Sequence, residues 1–228
     1  MRIDHRLRID RLKRKIPRKS REEWKIDIYE ERYNLILSVI LLVMAGILDY
    51  YFGAFAEKYG TAVAPDILLN IIPPINLSWL FVYGYMLVIF MLVAYPIFYD
   101  FKRLPVVISH FSLLVAVRAL FITMTHLKVP ATAIATSFPW PLSLVAFHND
   151  LFFSGHTAIP LVGFFVFRES KIRYFFLISS IILAITVLVM HRHYTIDVAS
   201  AFFIAYGTYK IGNILFSKLT EHQKRLFR

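Results

Sequence analysis

The chain has 228 residues, of which 58% are hydrophobic and 16% aromatic, and it carries a formal charge of +11 at pH 7. A mean hydropathy of +0.59, with the apolar residues gathered in long runs, excludes an ordinary water-soluble domain and indicates an integral membrane protein. The sequence contains no cysteine, which excludes disulfides, thiolate chemistry and Cys-ligated metal. Because Lys and Arg lie mostly between the apolar runs or at the chain ends, we expect their charge to meet anionic lipid headgroups, not nucleic acid.

Residues 1–33 are predicted to form basic amphipathic helices on the cytoplasmic membrane surface. Residues 1–16 place Ile3, Leu7, Leu12 and Ile16 among seven Lys and Arg, a pattern that stops at Pro17 and is typical of a helix lying on anionic lipids. A nucleic-acid arm or a disordered tail is the alternative. Ser20 and Glu23 form a capping-box pattern that opens a second helix, which we expect to run into the first membrane segment. The charged start predicts no cleavable signal peptide.

Six apolar runs predict an all-α bundle of six membrane helices, at residues 35–55, 78–99, 106–127, 154–168, 173–190 and 195–216. The fourth run is shorter than the roughly 20 residues that a span usually needs, so we expect it to begin upstream at Asp150 or to pack inside the bundle. Two longer links, 57–77 and 126–149, contain prolines that break helices, and the second also contains tryptophan, typical of the membrane interface. The six-span catalytic domain is predicted at 34–217, followed by a basic cytoplasmic tail at 218–228.

The distribution of positive charge predicts the topology. With six spans, 22 of the 26 Lys and Arg residues fall on one side, which the positive-inside rule makes cytoplasmic together with both termini. The segments 148–157 and 191–197, which contain four histidines, then map to the opposite, exoplasmic or periplasmic, face.

His193 and Asp197 form a candidate catalytic pair. Four residues apart on a helix, they lie about 40° apart in azimuth, so their side chains share one face. A carboxylate that accepts a hydrogen bond from one imidazole nitrogen fixes the tautomer and leaves the other nitrogen as a nucleophile or general base. His191 diverges from His193 by roughly 200° on a helix and cannot serve the same site unless the backbone is irregular. The same divergence argues against a metal site built from these three residues.

The segment before the fourth run supplies a second set of groups. Gly155 permits a tight turn, and Ser154 or Thr157 can cap the helix that follows. The free N–H groups at the start of that helix suit an anionic phosphate, which makes Ser154 and Gly155 candidate phosphate-binding residues beside His156. Asp150 either caps the turn or orients a substrate or His156. Two histidines and a carboxylate provide a nucleophile, an acid and an orienter for phosphoryl transfer without a metal.

Arg118 is a charged residue within the third apolar run. Counting 12 residues from Val106 at about 1.5 Å each places it some 18 Å from the cytoplasmic edge of a roughly 30 Å core. An arginine there costs at least about 2.5–3.5 kcal/mol unless it faces a polar cavity or a partner, so we expect it to bind substrate. The alternative is a structural ion pair with Asp49, at a similar depth in the first run, or with Asp100.

Three blocks of the sequence carry a family resemblance. They are D-x-x-F-S-G-H-T at 150–157, H-Y-T-x-D-V at 193–198, and R-x-x-x-x-x-x-T-x-L-x-V-P at 118–130. These blocks, with the six-run layout over residues 35–216, resemble the sphingomyelin synthase family within the type-2 phosphatidic acid phosphatase superfamily.

The resemblance implies a phosphodiester exchange that needs no cofactor. His193 attacks the headgroup phosphate of a donor phospholipid with support from Asp197, diacylglycerol leaves, and a phosphohistidine remains. His156 assists proton transfer to the leaving group and from the acceptor, which is ceramide or a similar lipid alcohol. With water as the acceptor, the same site is a lipid phosphate or isoprenyl pyrophosphate phosphatase. A non-enzymatic transporter or scramblase is a third possibility, against which the histidine motifs argue; the oligomeric state stays open.

The chain also departs from its relatives. The K-x6-R-P and S-R-x5-H blocks of the broader superfamily are missing, with Val187 at the position of the second arginine, which favours the synthase branch over a plain phosphatase. The family's C-G-D is H-N-D here, and Arg192 stands where relatives are acidic, which predicts an extra phosphate or an anionic headgroup in place of choline. We expect His148, His191 and Tyr194 to lie at the membrane interface without a catalytic role.

Overall fold

The computed structural model describes residues 21–140, 142–144 and 147–226, and the regular structure in these ranges is helical. A π-helix (Leu80–Gly84) precedes the third α-helix, and 3-10 helices cover Phe101–Arg103 and Leu142–Leu144. Ala62 and Leu127 form an isolated β-bridge. The α-helices are α1 (Arg21–Tyr59), α2 (Ile67–Ile71), α3 (Tyr85–Tyr99), α4 (Leu104–Thr125), α5 (Gly155–Val166), α6 (Arg173–Val189) and α7 (Thr195–Leu226).

Each of the six apolar runs corresponds to a helix, so the predicted all-α class is confirmed. Three helical segments, Glu22–Tyr59, Leu80–Tyr99 and Phe101–Thr125, are long and apolar enough to cross a membrane, and α5 and α6 are apolar but shorter. The apolar helices indicate a membrane protein, while the count of six spans and the side on which the termini lie stay predictions.

The N-terminal predictions are tested only in part. The amphipathic segment 1–16 and Ser20 lie outside the described residues. From Arg21 onward, α1 runs without a break to Tyr59, so the second N-terminal helix does continue into the first apolar run. The prediction that the link 57–77 contains no helix was wrong, because α2 forms there, with the Asp66 side chain accepting hydrogen bonds from the N–H groups of Leu68 and Leu69.

Helix α5 lies at the centre of the bundle. Ten of its twelve residues are buried, and it packs between α6 and α7 while α1 lies along α4. Its apolar side chains form one core cluster with residues of α3, α4, α6 and α7. The short fourth run therefore packs inside the bundle, and it begins at Gly155 and not at Asp150.

The contact of α5 with α6 depends on a glycine. A Cβ atom on Gly163 would lie 2.8 Å from Cδ1 of Phe176 and 3.0 Å from Cδ2 of Leu92. The Phe176 ring has no room to move away, because it is fully buried and stacks on Phe167 with 5.3 Å between ring centroids. Gly207 in α7, by contrast, has no atom within 4 Å of the position of its missing Cβ.

Alanine substitutions at these two glycines are expected to have opposite effects on stability. Gly163→Ala should lower the free energy of unfolding by about 1–3 kcal/mol, because it overpacks the core. Gly207→Ala should raise it by up to about 1 kcal/mol, because alanine loses less backbone entropy in a helix. Thermal unfolding of the two variants in one detergent measures both effects. Equal shifts in the midpoint would contradict the packing described here.

Candidate active site

A cavity of about 380 Å³ opens among α1, the π-helix, α3, α4, α5 and the segment before α7. Part of its wall is apolar and includes Leu42, Ile89, Phe111, Val115 and Ile159. The rest contains the polar groups that the sequence singled out, and the structure brings them to one place: Asp49, Arg118, Asp150, His156, Arg192 and His193.

His193 lies at the cavity wall, with Asp197 behind it. Nδ1 of His193 is 3.3 Å from Oδ2 of Asp197, which also accepts a 3.0 Å hydrogen bond from the N–H of Tyr194. Asp197 is completely buried and does not line the cavity. Because Nδ1 faces the carboxylate, Nε2 is the nitrogen left for chemistry.

The route to this pair differs from the prediction. We expected both side chains on one face of a helix, but α7 begins at Thr195, so His193 lies in the turn before it. The Asp197 carboxylate lies in the first helical turn and points back toward the start of the helix, where it holds both the imidazole and the N–H of Tyr194. It thus combines a capping role with an orienting role.

His156 is the second residue of α5, and it lines the same cavity. Its ring stacks against Phe81 of the π-helix and Tyr85 of α3, with centroid separations of 4.0 and 4.3 Å. Its Nε2 atom is buried and has no hydrogen-bond partner among the described residues. The two aromatic rings fix the plane of the imidazole and leave a nitrogen unsatisfied for a ligand.

The first turn of α5 has open donors. Ser154 occupies the N-cap position, but its buried side chain caps no N–H group and instead lies 3.3 Å from the Thr157 hydroxyl, so the predicted side-chain cap is absent. The backbone N–H groups of Gly155, His156 and Thr157 make no hydrogen bond to a described residue. The N–H of Ser154 donates to the carbonyl oxygen of Asp197 at 3.1 Å, which joins the two histidine motifs directly.

Arg118 is held by several acceptors. Its Nη1 donates to Oδ2 of Asp150 at 2.8 Å, Nη2 contacts both Oδ1 and the carbonyl oxygen of that residue, and Nε donates to the carbonyl oxygen of Phe153 at 3.0 Å. Oδ1 of Asp49 lies 3.8 Å from Nη1 of Arg118, in agreement with the alternative that these two residues form an ion pair. Asp100 pairs with Arg103 instead. Gly155 permits the close approach, because a Cβ there would lie 3.4 Å from Nε of Arg118.

Arg192 differs from Arg118 in lacking a partner. It is only 9% exposed, and none of the described residues accepts a hydrogen bond from its guanidinium; Nε in particular is buried and unsatisfied. Its Cζ atom lies 5.9 Å from the centroid of the Phe81 ring. Burial lowers the pKa of Arg192, while Asp150 and Glu57 act in the opposite direction.

Two residues beside the candidate pair are buried in the protein. His191 and Tyr194 are each 2% exposed, and their predicted position at the membrane interface stays a prediction. The backbone of His191 is left-handed, with φ of 56°, and its ring contacts the Thr132 hydroxyl at 2.5 Å and the Ile72 carbonyl oxygen at 3.0 Å. The Tyr194 hydroxyl donates to the carbonyl oxygen of Lys128 at 2.9 Å. Both residues anchor the two long links. His148 is exposed, and its Nδ1 atom lies 3.8 Å from Oε1 of Glu57.

The sequence interpretation missed Phe81, Tyr85 and Asp66. The two aromatic residues are spaced i and i+4 and occur in an apolar run, so nothing marks them as neighbours of a histidine. Asp66 follows Pro65 and precedes an apolar stretch, which is an N-cap signal. Its carboxylate also accepts hydrogen bonds of 2.6 and 2.8 Å from the N–H and the hydroxyl of Thr195. It therefore ties α2 to the start of α7, two residues before Asp197.

Asp66 should make the fold sensitive to acid. Burial raises the pKa of this carboxyl, but hydrogen bonds from Thr195, Leu69 and Leu68 outweigh burial and hold the pKa below its usual range. A group with a depressed pKa in the folded state stabilises it above the unfolded pKa, and this contribution is lost as the pH falls through the folded pKa. Asp66→Asn should thus lower the unfolding midpoint at about pH 7, with the deficit shrinking toward about pH 3.

Thermal unfolding of the wild type and Asp66→Asn across this pH range measures the effect. Glu22→Gln is the control, because the Glu22 carboxylate forms a solvent-exposed ion pair with Lys25. A deficit of Asp66→Asn that is independent of pH would contradict the assignment.

The comparisons with known proteins agree with this geometry at a coarse level. A family model described as PAP2 superfamily C-terminal matches residues 149–214, which include His156, His193 and Asp197 but not Arg118. No curated protein and no solved structure matches the chain significantly. The match supports membership of the type-2 phosphatidic acid phosphatase superfamily. Members of this superfamily are phosphatases or phosphotransferases, which supports an enzyme that acts on phosphate groups.

Proposed function

We propose that the chain is a membrane lipid phosphotransferase that moves a phosphate-bearing headgroup from a phospholipid to ceramide or a similar lipid alcohol. The observation that carries the proposal is the position of His193, which is backed by the buried Asp197 and lies at the wall of the cavity that His156 also lines. An oriented imidazole with a free Nε2 is a competent nucleophile toward phosphorus, and a second imidazole can move the proton.

The reaction then has two steps. In the first, Nε2 of His193 attacks the phosphorus atom, the bond from phosphorus to the diacylglycerol oxygen breaks, and His156 gives that oxygen a proton. In the second, His156 takes the proton of the acceptor hydroxyl, whose oxygen attacks phosphorus and displaces His193. Asp197 stabilises the positive charge that the His193 ring acquires as the covalent bond forms.

The cavity wall has polar groups that suit a phosphate and apolar side chains that suit lipid chains. The unsatisfied N–H groups at the start of α5 and the nearby positive charge offer stabilisation to the developing negative charge on the phosphate oxygens. The apolar side chains of α1, α3 and α4 provide a surface for lipid chains. Such a mixture of few polar groups and an apolar wall suits a lipid with a phosphate headgroup.

A hydrolase is the second candidate. The superfamily that the match supports includes phosphatases, and the same histidines can transfer the phosphate to water. The remaining alternative from the sequence is a scramblase or transporter, which moves lipids without a chemical reaction. The pairing of His193 with Asp197 does not support this alternative, because lipid transport needs no oriented nucleophile.

Headgroup transfer can be measured with purified protein in liposomes. The membranes contain headgroup-labelled phospholipids with or without ceramide, and mass spectrometry follows the label. We expect label on ceramide with the wild type and none with His193→Ala. His148→Ala, at the exposed rim of the cavity, should retain most of the activity. Diacylglycerol and free phospho-headgroup that accumulate regardless of ceramide would identify a hydrolase, and lipid movement retained in His193→Ala would identify a transporter.

Replacement of the orienting carboxylate should slow turnover more than it weakens substrate binding. Asp197→Asn should lower kcat by about a hundredfold or more, because the uncharged amide neither fixes the reactive tautomer nor stabilises the charged ring. KM should change little, since Asp197 does not line the cavity. Initial rates over a range of donor concentrations separate the two constants, with an unfolding curve as the check on structure. An unchanged kcat would exclude the orienting role.

A further inference from the structure

The two guanidinium groups at the cavity differ in what they already bind. The donors of Arg118 are directed at the Asp150 carboxylate, the Asp150 carbonyl oxygen and the Phe153 carbonyl oxygen. This is a bidentate pair supplemented by two backbone acceptors, and it uses the planar fork of the side chain. The positive charge of Arg118 is therefore matched by a carboxylate of the protein itself.

Arg192 has the opposite character. The residue as a whole is only 9% exposed, its Nε atom is buried without a hydrogen-bond partner among the described residues, and its Cζ atom lies 5.9 Å from the centroid of the Phe81 ring. An unmatched charge in such surroundings is costly, because the aromatic face replaces only a small part of its hydration. The side chain lines the cavity beside His193, so a ligand there is positioned to accept its hydrogen bonds.

The ligand that fits is a phosphate group. The other open donors at the same cavity are the N–H groups of Gly155 and His156 at the start of α5, and the unsatisfied Nε2 of His156 is a further nitrogen there. A tetrahedral oxyanion accepts hydrogen bonds from several donors at once, and guanidinium is the side-chain group best matched to it. Arg118 cannot take this role without leaving the carboxylate of Asp150, which is only 14% exposed, without its partner, which is unfavourable.

We infer that Arg192, and not Arg118, binds the transferring phosphate, and that Arg118 is a positioning residue that holds Asp150 and the backbone before α5. This inference rests on the proposed function and deepens it by assigning the phosphate-binding charge of the same site. The phosphate belongs to a lipid headgroup or is free in solution, and both share the chemistry that Arg192 recognises.

The test compares Arg192→Gln with Arg118→Gln, using orthovanadate as the probe of the phosphate site. Without vanadate, Arg192→Gln should unfold at the wild-type midpoint or above it, because a buried unmatched charge is removed. Arg118→Gln should unfold at a lower midpoint, because Asp150 loses its partner. Vanadate affinity, from titration well below the unfolding range, should fall roughly tenfold to hundredfold in Arg192→Gln and stay near the wild-type value in Arg118→Gln.

Arg192→Lys is the matched control, because it keeps the charge but loses the fork. It should bind vanadate with intermediate affinity, and it replaces Arg192→Gln if that variant does not fold. Wild-type vanadate affinity in both Arg192 variants overturns the inference, as does a loss of binding in folded Arg118→Gln with an unchanged midpoint.

Lipid turnover, measured in parallel, shows whether the bound phosphate belongs to a lipid headgroup or is free in solution. It also tests the proposed function separately from the phosphate-binding role of Arg192. Loss of headgroup transfer together with vanadate binding in Arg192→Gln supports recognition of the lipid phosphate. If the wild type turns over no lipid but binds vanadate through Arg192, the proposed function fails while the phosphate site stands, with free phosphate as its ligand.

Discussion

The ion pair between Arg118 and Asp150 is the interaction on which the candidate site depends. It joins α4 to the segment before α5. The additional hydrogen bond from Arg118 to the Phe153 carbonyl oxygen fixes the same segment close to the start of α5. Ser154 then extends the connection to α7 through its hydrogen bond to Asp197. Because the side chains of Arg118 and Asp150 are only 13% and 14% exposed, removing one partner would leave the other largely buried and unpaired, which is unfavourable. The pair therefore holds the segment before α5 in place. The geometry of the candidate site follows from this chain of contacts.

A second set of contacts fixes the segment 191–195 from the other side. His191 and Tyr194 bind carbonyl oxygens of the two long links, and Asp66 holds the first residue of α7. The left-handed backbone of His191 is unfavourable for a residue with a side chain, and the hydrogen bonds to Thr132 and Ile72 offset that cost. His193 is therefore held by the buried Asp197 carboxylate, and its neighbours His191 and Tyr194 are held by the two long links.

Much of this arrangement can be predicted from the sequence, and the rest cannot for identifiable reasons. The helices follow from apolar run length, and the contact between His193 and Asp197 follows from their spacing, although a turn and not a helix brings them together. The burial of His191 and Tyr194 depends on partners more than 50 positions away along the chain, which a local pattern does not contain. The stacking of His156 on Phe81 and Tyr85 likewise arises from packing between helices. The sequence does not show which of Arg118 and Arg192 has a carboxylate partner. The difference becomes visible only in the folded surroundings of the two side chains.

The short length of α5 has a consequence for where chemistry takes place. Its twelve residues span about 18 Å, well under the roughly 30 Å of a hydrocarbon core. Gly155 at its start lies beside Arg118, and α4 continues for seven more residues beyond Arg118, or about 10 Å. In the proposed reaction, and in a bilayer that α4 crosses, the phosphate therefore lies about 10 Å below the end of α4. In the proposed transfer, a donor phospholipid must then sink or tilt for its phosphate to reach His193.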